Sequence, residues 1–390
     1  MRKTAPFELY IRRALGDPDA EIFQRSSHIR TPTLVAGHTH RVILYRGSFN
    51  PPHQGHKDAL CHAFFRSGSD LNIVAAMIVT LPDTAVAYKY RKIANNDVPA
   101  YVLTEAQRKR LWNASGLHGG WHFFFPNPID QSQQFTEDVR YEAGREGFDV
   151  RFITLLGPDY VNVQGTNSGE VLVAGTGNDD RVNFRGEHPS GFRSVKEYGP
   201  WTMLKLDKGL IRQLGTEGSP QWLEQKLQML VPDQVKGLPE DPVKRRKALE
   251  FRLQRNLRRL GPVRVCQHLT GPPHQWLRFV PTRFIGMTSG ANFLGDKVEG
   301  ISSTRIRRTI ANQTSREAFI EALGGMALSP ELLYEYIIEA RAVEKREKEA
   351  QILREKREEK VLRKRKRQEK QHERPAQNVK RKKDDVKFQS

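Results

Sequence analysis

The sequence has few cysteines and no long apolar run. Only two of its 390 residues are cysteines, Cys61 and Cys266, too few for a disulfide framework or a zinc cluster. No stretch reaches the roughly 18 consecutive apolar residues typical of a transmembrane helix, so we expect no membrane partner. The first residues lack the apolar core of a secretory signal, and their acidic side chains disfavour a mitochondrial transit peptide. We therefore expect a protein of the nucleus, the cytoplasm or both.

Acidic residues are outnumbered, and the positive excess is concentrated near the C-terminal end. The formal net charge is +19, of which +10 belongs to residues 341–390, with 20 basic and 10 acidic side chains there. The basic runs at 363–367 and 380–383 suit a nuclear-import receptor or RNA. Aromatic residues are almost absent from this stretch, so base stacking is not predicted for it. The alternative is a solvated helical tail without a dedicated partner.

Short apolar runs alternate with amphipathic helical patterns along most of the chain. The runs lie at 42–45, 71–79, 122–125, 150–156, 171–174, 263–267 and 277–280. Helical patterns lie between several of them, for example at 104–114 and 131–147. Nearly continuous apolar strands alternating with helices predict a parallel sheet that is covered on both faces. The predicted fold class is α/β, with a Rossmann-like, doubly wound parallel sheet.

Three segments depart from this alternation. Residues 1–40 form a polar leader without a clear period. Residues 185–262 are rich in glycine, proline and charge before they become a basic helix, and we interpret them as an insertion into one domain spanning 41–328. Residues 329–390 form a basic tail, which we predict to begin as a helix and to fray into disorder as its apolar residues become sparse.

The most informative segment is GSFNPPHQGH, residues 47–56, between the first apolar run and a helical pattern. Ligands bind at the carboxyl ends of parallel strands, so we expect this loop to lie where a ligand would bind. Gly47 allows the backbone to make a tight turn, and Gly55 allows a ligand to approach the backbone closely at the start of the helix. The helix N-terminus and the imidazoles of His53 and His56 can donate hydrogen bonds to phosphate oxygens. A Pro/Gly turn with incidental histidines is the alternative.

Residues 47–56 resemble the histidine motif of the HxGH nucleotidyltransferases, in particular the fungal-type nicotinamide mononucleotide (NMN) adenylyltransferases. Residues 301–308, ISSTRIRR, resemble that family's ISSTxIR signature, although a capped basic helix is the alternative. The resemblance covers roughly residues 41–182 and 263–312. It implies a cytidylyltransferase-like domain that transfers AMP from ATP to a mononucleotide acceptor with release of pyrophosphate. NMN or nicotinate mononucleotide would be the acceptor, giving NAD or its deamido form.

The resemblance also implies residue roles. His53, His56 and Arg307 would be catalytic. The ATP-binding residues would be Gly47, Ser48, Phe49, Gly55, Gly157, Asp159, Ile301, Ser302, Ser303 and Thr304. Lys89 and Arg108 would bind the acceptor, the lysine by meeting its phosphate. Asp159 could instead be an ordinary helix cap, and Lys89 a solvated surface lysine. Mg²⁺ would arrive with ATP, because no carboxylate cage is visible in the sequence.

Two departures from the family pattern bear on the acceptor. Residues 128–133, PIDQSQ, lack the tryptophan that usually stacks on the nicotinamide ring, and no arginine precedes Gly177-Asn178-Asp179. In the family, both the missing tryptophan and the missing arginine belong to the acceptor-binding part of the site. Nucleotidyl transfer is therefore better supported than the identity of the acceptor. Two alternatives stay open: a nucleotidyltransferase with another phosphate acceptor, and a nucleotide- or RNA-associated binding protein that retains the fold.

Overall fold

The structure is a computed structural model of the chain. Among the residues that it describes, the main sheet has eight strands. The structure describes residues 3–23, 31–93, 101–117, 120–157, 170–175, 197–203, 216, 219–230, 232–259, 263–271, 276–281, 301–313 and 315–386. The chain divides into two compact units, Met1–Leu333 and Tyr334–Ser390, and the main sheet belongs to the first.

Seven of the described strands lie at the predicted apolar runs, and helices lie between several of them. The strands are β1 (Thr4–Pro6), β2 (Thr33–Val35), β3 (Thr39–Gly47), β4 (Ile73–Thr80), β5 (His122–Phe124), β6 (Asp149–Leu156), β7 (Glu170–Gly175), β8 (Thr202–Met203), β9 (Arg264–Gln267) and β10 (Trp276–Pro281). The helices are α1 (Phe7–Leu15), α2 (Gln54–Leu71), α3 (Asp83–Ile93), α4 (Glu105–Asn113), α5 (Ser132–Arg145), α6 (Pro220–Leu230), α7 (Pro242–Arg259), α8 (Ser303–Asn312), α9 (Arg316–Leu323) and α10 (Pro330–Val386). Short 3₁₀ turns lie at Ile129–Gln131 and Pro232–Val235.

The sheet order is β5-β4-β3-β6-β7-β10-β9-β8, and every pair from β5 to β10 is parallel. The last two pairings, β10 with β9 and β9 with β8, are antiparallel. The strand order reverses direction between β3 and β6, where Tyr45 lies opposite Leu155. In doubly wound sheets this switch point opens a crevice at the carboxyl ends of the strands. The predicted α/β fold with a Rossmann-like parallel sheet is confirmed.

Helices cover both faces of the sheet, which explains the continuous apolar strands. Every residue of β4 is buried except Val74, so its two faces are both covered. Side chains of α2, α4, α6 and α7 join one apolar cluster against β3, β4, β6 and β7. Side chains of α1 and α5 form the cluster on the opposite face.

Residues 1–40 contain more structure than their sequence suggests. β1 and β2 form an antiparallel pair, and α1 buries Phe7, Tyr10 and Ile11 in the cluster it shares with α5. These three positions follow the i, i+3, i+4 spacing of an amphipathic helix. The helix is short, and Gly16 ends it in the left-handed conformation at φ 66°. The helical spacing of apolar residues therefore extends over too few positions to be recognised in the sequence.

The segment read as an insertion contributes to the same unit as the sheet. Its described parts include β8, which extends the sheet edge beside β9, and helices α6 and α7. Leu223 and Leu227 of α6 and Leu249 and Leu253 of α7 are fully buried in the cluster that α2 shares. The boundaries proposed for the insertion stay a prediction.

The C-terminal unit is dominated by α10, which continues to Val386 instead of fraying after its apolar residues become sparse. Charged pairs at i, i+4 spacing, such as Glu359–Arg363 at 2.6 Å and Lys345–Glu349 at 4.0 Å, support an exposed helix of this kind. Lysine, arginine and glutamate are also good helix formers. Among the described helices, none has the length and apolarity needed to cross a membrane.

Candidate functional site

The loop from Gly47 to His53 leaves the carboxyl end of β3 at the switch point and leads directly into α2. Gly157 follows the end of β6, the strand paired with β3, so it lies at the same edge of the sheet. Gly55 lies in the first turn of α2, where backbone N–H groups are not used within the helix. This is the place that the sequence pattern predicts for a ligand.

His53 and His56 cap the start of α2 reciprocally. The backbone N–H of His56 donates to Nδ1 of His53 at 3.3 Å, and the backbone N–H of His53 donates to Nδ1 of His56 at 3.2 Å. The two rings are stacked, with centroids 3.5 Å apart and planes inclined by 23°. The arrangement is a capping box in which imidazoles replace the usual hydroxyl and carboxylate.

This capping assigns the protonation state of both rings. A ring whose Nδ1 accepts a hydrogen bond must carry its proton on Nε2 when it is neutral. Burial, with the positive charge of Arg307 as a smaller cause, lowers the pKa of His53 to about 3. Burial, followed by the charges of His53 and Lys89, holds the pKa of His56 well below its ordinary value. Both residues are therefore neutral Nε2–H donors at physiological pH.

The ring of Phe49 packs against the ring of His56 and requires a glycine at position 47. A Cβ atom at position 47 would lie 2.7 Å from two ring carbons of Phe49. The ring makes edge contacts with Tyr45, His56 and Trp112, at centroid distances of 5.1, 5.1 and 5.5 Å. Phe49 also has a positive φ of 45°, so the backbone itself bends here. Gly47 and Phe49 thus support His56 from below, and the predicted contact of these two residues with ATP stays a prediction.

Asn50 connects the loop to three other parts of the chain. Its side-chain amide donates to the carbonyl of Tyr101 at 2.6 Å, and its side-chain oxygen accepts the backbone N–H of Leu103 at 2.9 Å. Its carbonyl oxygen accepts from Arg307 at 2.9 Å and from the hydroxyl of Tyr90 at 3.2 Å. Asn50 is completely buried, so these contacts hold the loop and bind no ligand.

The second predicted motif lies against the first. Ser302 caps α8 by accepting the backbone N–H of Arg305, and the hydroxyl of Ser303 donates to the carbonyl of Pro51 at 3.1 Å. Ile301 comes immediately before the cap and is partly exposed. The structure therefore brings the N-termini of α2 and α8 together, as the two motifs predict.

Arg307 is buried within this contact. Its guanidinium donates to the carbonyl of Asn50 and to the hydroxyl of Thr304, and it lies 4.3 Å from the ring centre of Tyr90. Only 2% of its surface is exposed, and burial lowers the pKa of the guanidinium. In this structure it positions the histidine loop, and its direct contact with phosphate stays a prediction.

The two predicted acceptor residues differ in their placement. Nζ of Lys89 lies 3.4 Å from the hydroxyl of Ser48, and its charge contributes to the lowered pKa of His56, so Lys89 belongs to the site. Arg108 is completely buried and donates to the carbonyls of Ser48 and Leu81 at 2.7 Å each, and to Asp83 at 2.8 Å. It braces the loop against the end of β4, and these contacts give no support to acceptor binding by Arg108.

Positive charge prevails around the loop. The charges of Arg307 and Lys89 act on His53 and His56, respectively, and Lys57, in the first turns of α2, donates to the carbonyl of Ser115. The nearby acid on α2 is Asp58, whose pKa burial raises to about 7. Its Oδ1 accepts from Gln54 at 2.7 Å. A region with this balance attracts phosphate groups.

Several predictions fall outside the described residues or were incomplete. Asp159 and residues 177–179 lie outside the described part of the chain, so their roles stay predictions. The sequence reading missed Asn50 and Tyr90 as positioning residues, although Asn50 lies within the 47–56 motif. Within the described ranges, no cluster of three His, Cys, Asp or Glu side chains is arranged to hold a metal.

No protein-family model matches the sequence, and no curated protein matches it. Among solved structures, the chain is similar in part to Plasmodium falciparum nicotinic acid mononucleotide adenylyltransferase complexed with NaAD. The sequence identity is 14%, the TM-score is 0.23, and the match covers 35% of this chain and 65% of that chain. The match thus spans less than two thirds of that chain's length. A likeness this partial carries no inference about this chain.

Proposed function

We propose that this protein is an HxGH-type adenylyltransferase that transfers AMP from ATP to a mononucleotide. The observation that carries the proposal is the pair of neutral, stacked imidazoles at the N-terminus of α2, whose Nδ1 atoms accept the capping hydrogen bonds and whose Nε2–H groups are left as donors. Two adjacent donors at a helix N-terminus suit phosphate oxygens that gain negative charge during transfer. The positive charge of Lys89, which acts on His56, favours the same phosphate groups.

In the proposed reaction, a phosphate oxygen of the acceptor attacks the α-phosphorus of ATP in line. The bond between the α-phosphorus and the bridging oxygen breaks, and pyrophosphate leaves with the electron pair. No proton has to be taken from the attacking phosphate and no covalent enzyme intermediate is formed, so the protein acts by positioning and charge stabilisation. His53 and His56 would donate to the reacting phosphates, and Ser302, Ser303, Thr304 and the N-terminus of α8 would bind the β- and γ-phosphates. Mg²⁺ would enter with ATP as part of the substrate.

NMN or nicotinate mononucleotide is the acceptor that we propose, with Lys89 meeting its phosphate. Lys89 lies within reach of the loop hydroxyl of Ser48 and is only partly buried, so its ammonium can be approached from solvent. Residues 128–133, where the family tryptophan would be expected, include the 3₁₀ turn Ile129–Gln131, and no aromatic side chain is available in that segment. Recognition of the acceptor ring must therefore use a different residue in this chain.

The decisive experiment measures pyrophosphate and dinucleotide formation by the full-length protein with ATP and Mg²⁺. Reactions with NMN, with nicotinate mononucleotide and without an acceptor are compared. His56→Ala should lower turnover by about 10²-fold or more, as expected when a donor to transition-state charge is removed. His38→Ala is the matched control, because His38 is exposed near the opposite end of β3. An equally active His56→Ala variant would contradict the proposal.

The second candidate function is a nucleotide- or RNA-associated binding protein that retains this fold. It is favoured by the basic composition of the last 50 residues, most of which lie in α10, where a nuclear-import receptor or RNA would bind. A folded protein that binds ATP but forms no pyrophosphate with either mononucleotide would favour this function. Nuclear location would follow from the same basic runs and is tested by imaging the full chain with and without charge-neutralising substitutions at 380–383.

A further inference from the structure

Helix α7 carries an unusual concentration of positive charge. Eight of its 18 residues are lysine or arginine and one is acidic, so charge repulsion along the helix requires compensation. The helix lies within the same compact unit as the sheet but belongs to the segment that the proposed transferase activity does not use. Sorting its basic side chains by their contacts separates those that hold the fold from those that do not.

Three arginines of α7 form ion pairs or hydrogen bonds with other groups of the same chain. Arg245 forms a two-oxygen pair with Glu224 of α6, with its closest contact at 2.7 Å. Arg246 pairs with Glu250 at 2.9 Å. Arg252 donates to the carbonyls of residues 234, 236 and 237. These contacts fasten α7 to α6 and to the turn before it, while Leu249, Leu253 and Leu257 bury the inner face.

The outer face presents a different set of side chains. Lys244, Lys247, Phe251 and Arg255 follow one another at intervals of three and four residues, so they form one stripe along the helix. All four are exposed, and the ring of Phe251 is 65% exposed. Among the described residues, none offers a hydrogen-bonding or ion-pairing partner to the charged ends of Lys244, Lys247 and Arg255. We call these four residues the α7 stripe.

We infer that the α7 stripe binds single-stranded nucleic acid. An exposed aromatic ring between cations supplies the two elements of such binding, a platform on which a base stacks and charges for the flanking phosphates. Lys247 and Arg255 are eight residues apart, about 12 Å along the helix, with Phe251 midway between them. The stripe is separate from the histidine loop, so the inference does not depend on the proposed transferase activity.

The composition of α7 argues against an anionic membrane as the partner. Helices that lie in a membrane interface insert a broad apolar face, whereas the apolar face of α7 is already buried against the core. Its exposed large apolar side chains are Phe251 and Val243, which is too small a surface for stable insertion. Stacking of a base on one ring needs no more surface than Phe251 provides.

The test measures binding of a fluorescently labelled 20-nucleotide oligouridylate to the full-length protein across a series of salt concentrations. Phe251→Leu should weaken binding about fivefold or more at every salt concentration, because it keeps an apolar side chain but removes the stacking face. Phe251→Trp should retain binding. The triple variant K244Q/K247Q/R255Q should lower the slope of log affinity against log salt by about 2, as expected for three lost phosphate contacts.

The control variant R363Q/K364Q/R365Q removes the same charge from α10. If it abolishes oligonucleotide binding while the triple variant in α7 binds like the wild type, the inference is wrong and the tail is the binding element. Equal binding by Phe251→Leu and wild type would likewise overturn it. So would binding to vesicles of 30% phosphatidylserine without binding to the oligonucleotide. Unchanged melting temperatures and far-UV circular dichroism spectra establish that each variant is folded.

Discussion

The backbone N–H groups of His53 and His56 each donate to the Nδ1 atom of the other residue, at 3.2 and 3.3 Å, across the first turn of α2. One pair of contacts thus does two things. It caps backbone N–H groups at the start of the helix, and it leaves both Nε2–H groups directed away from the backbone that the Nδ1 atoms contact. Capping of the helix and presentation of the donors are therefore coupled in the same two side chains.

This coupling predicts how stability responds to acid. The folded pKa of His53 is about 3 and its ordinary value is about 6.5, so between these values the unfolded chain binds more protons. Stability should therefore fall as pH decreases through this window, by up to about 1.4 kcal/mol per pH unit for each such histidine. His53→Asn retains a capping acceptor and removes the titration. Urea unfolding at pH 7, 6 and 5 should show a shallower decline for this variant, and parallel declines would contradict the prediction.

Gly47→Ala tests the support that Phe49 gives to His56. The added Cβ would lie 2.7 Å from the Phe49 ring, which Tyr45 and Trp112 hold from other sides. Overpacking of this kind costs about 1–3 kcal/mol, and we expect a lower free energy of unfolding together with slower adenylyl transfer. Gly144→Ala in α5 is the control, since no atom lies within 4 Å of its added Cβ and the change should be neutral or stabilising. Similar effects for both variants would refute the argument.

Asp58→Asn should stabilise the protein at alkaline pH. Burial raises the folded pKa of Asp58 to about 7, whereas the unfolded value is about 3.9, so the folded state binds more protons between them. The wild type thus loses stability as pH rises through this window. The amide keeps an acceptor for Gln54 and carries no charge. We expect an increase on the order of 1–3 kcal/mol in unfolding free energy at pH 8 and little change at pH 4. A lower unfolding free energy of the variant at pH 8 would contradict the prediction, because it would show that the Asp58 carboxylate stabilises the folded protein.

Glu146→Gln should loosen the N-terminal segment. Glu146 accepts from Arg13 at 2.7 Å, from Tyr10 at 3.0 Å and from Lys3 at 3.2 Å, and these contacts lower its pKa to about 2. The stabilisation is present above the unfolded pKa near 4.3 and is lost as pH falls towards 2. Amide hydrogen exchange in α1 should be faster in the variant at pH 7. Glu142→Gln is the control, because its contacts with Arg13 and Arg145 are longer, at 4.0 and 3.5 Å. Unchanged exchange in both variants would exclude this role.

Local patterns were sufficient to predict the strands from β3 to β10 other than β8, the position of residues 47–56 between a strand and a helix, and the cap at Ser302. Each of these depends on side chains within a few positions of one another, such as the alternation of apolar residues or a hydroxyl before a helix. The short period in α1 was present as well, but three buried positions were too few to distinguish it from a polar leader.

The tertiary structure alone decided which of the predicted site residues hold the loop. Arg307 and Asn50 are 257 positions apart, and nothing near either residue in the sequence indicates their contact. Arginine is a residue type that binds anions well, yet the guanidinium of Arg108 donates its hydrogen bonds to the carbonyls of Ser48 and Leu81. A basic side chain is equally able to bind a phosphate or a backbone carbonyl. Its role is therefore set by the groups that folding brings within hydrogen-bonding distance.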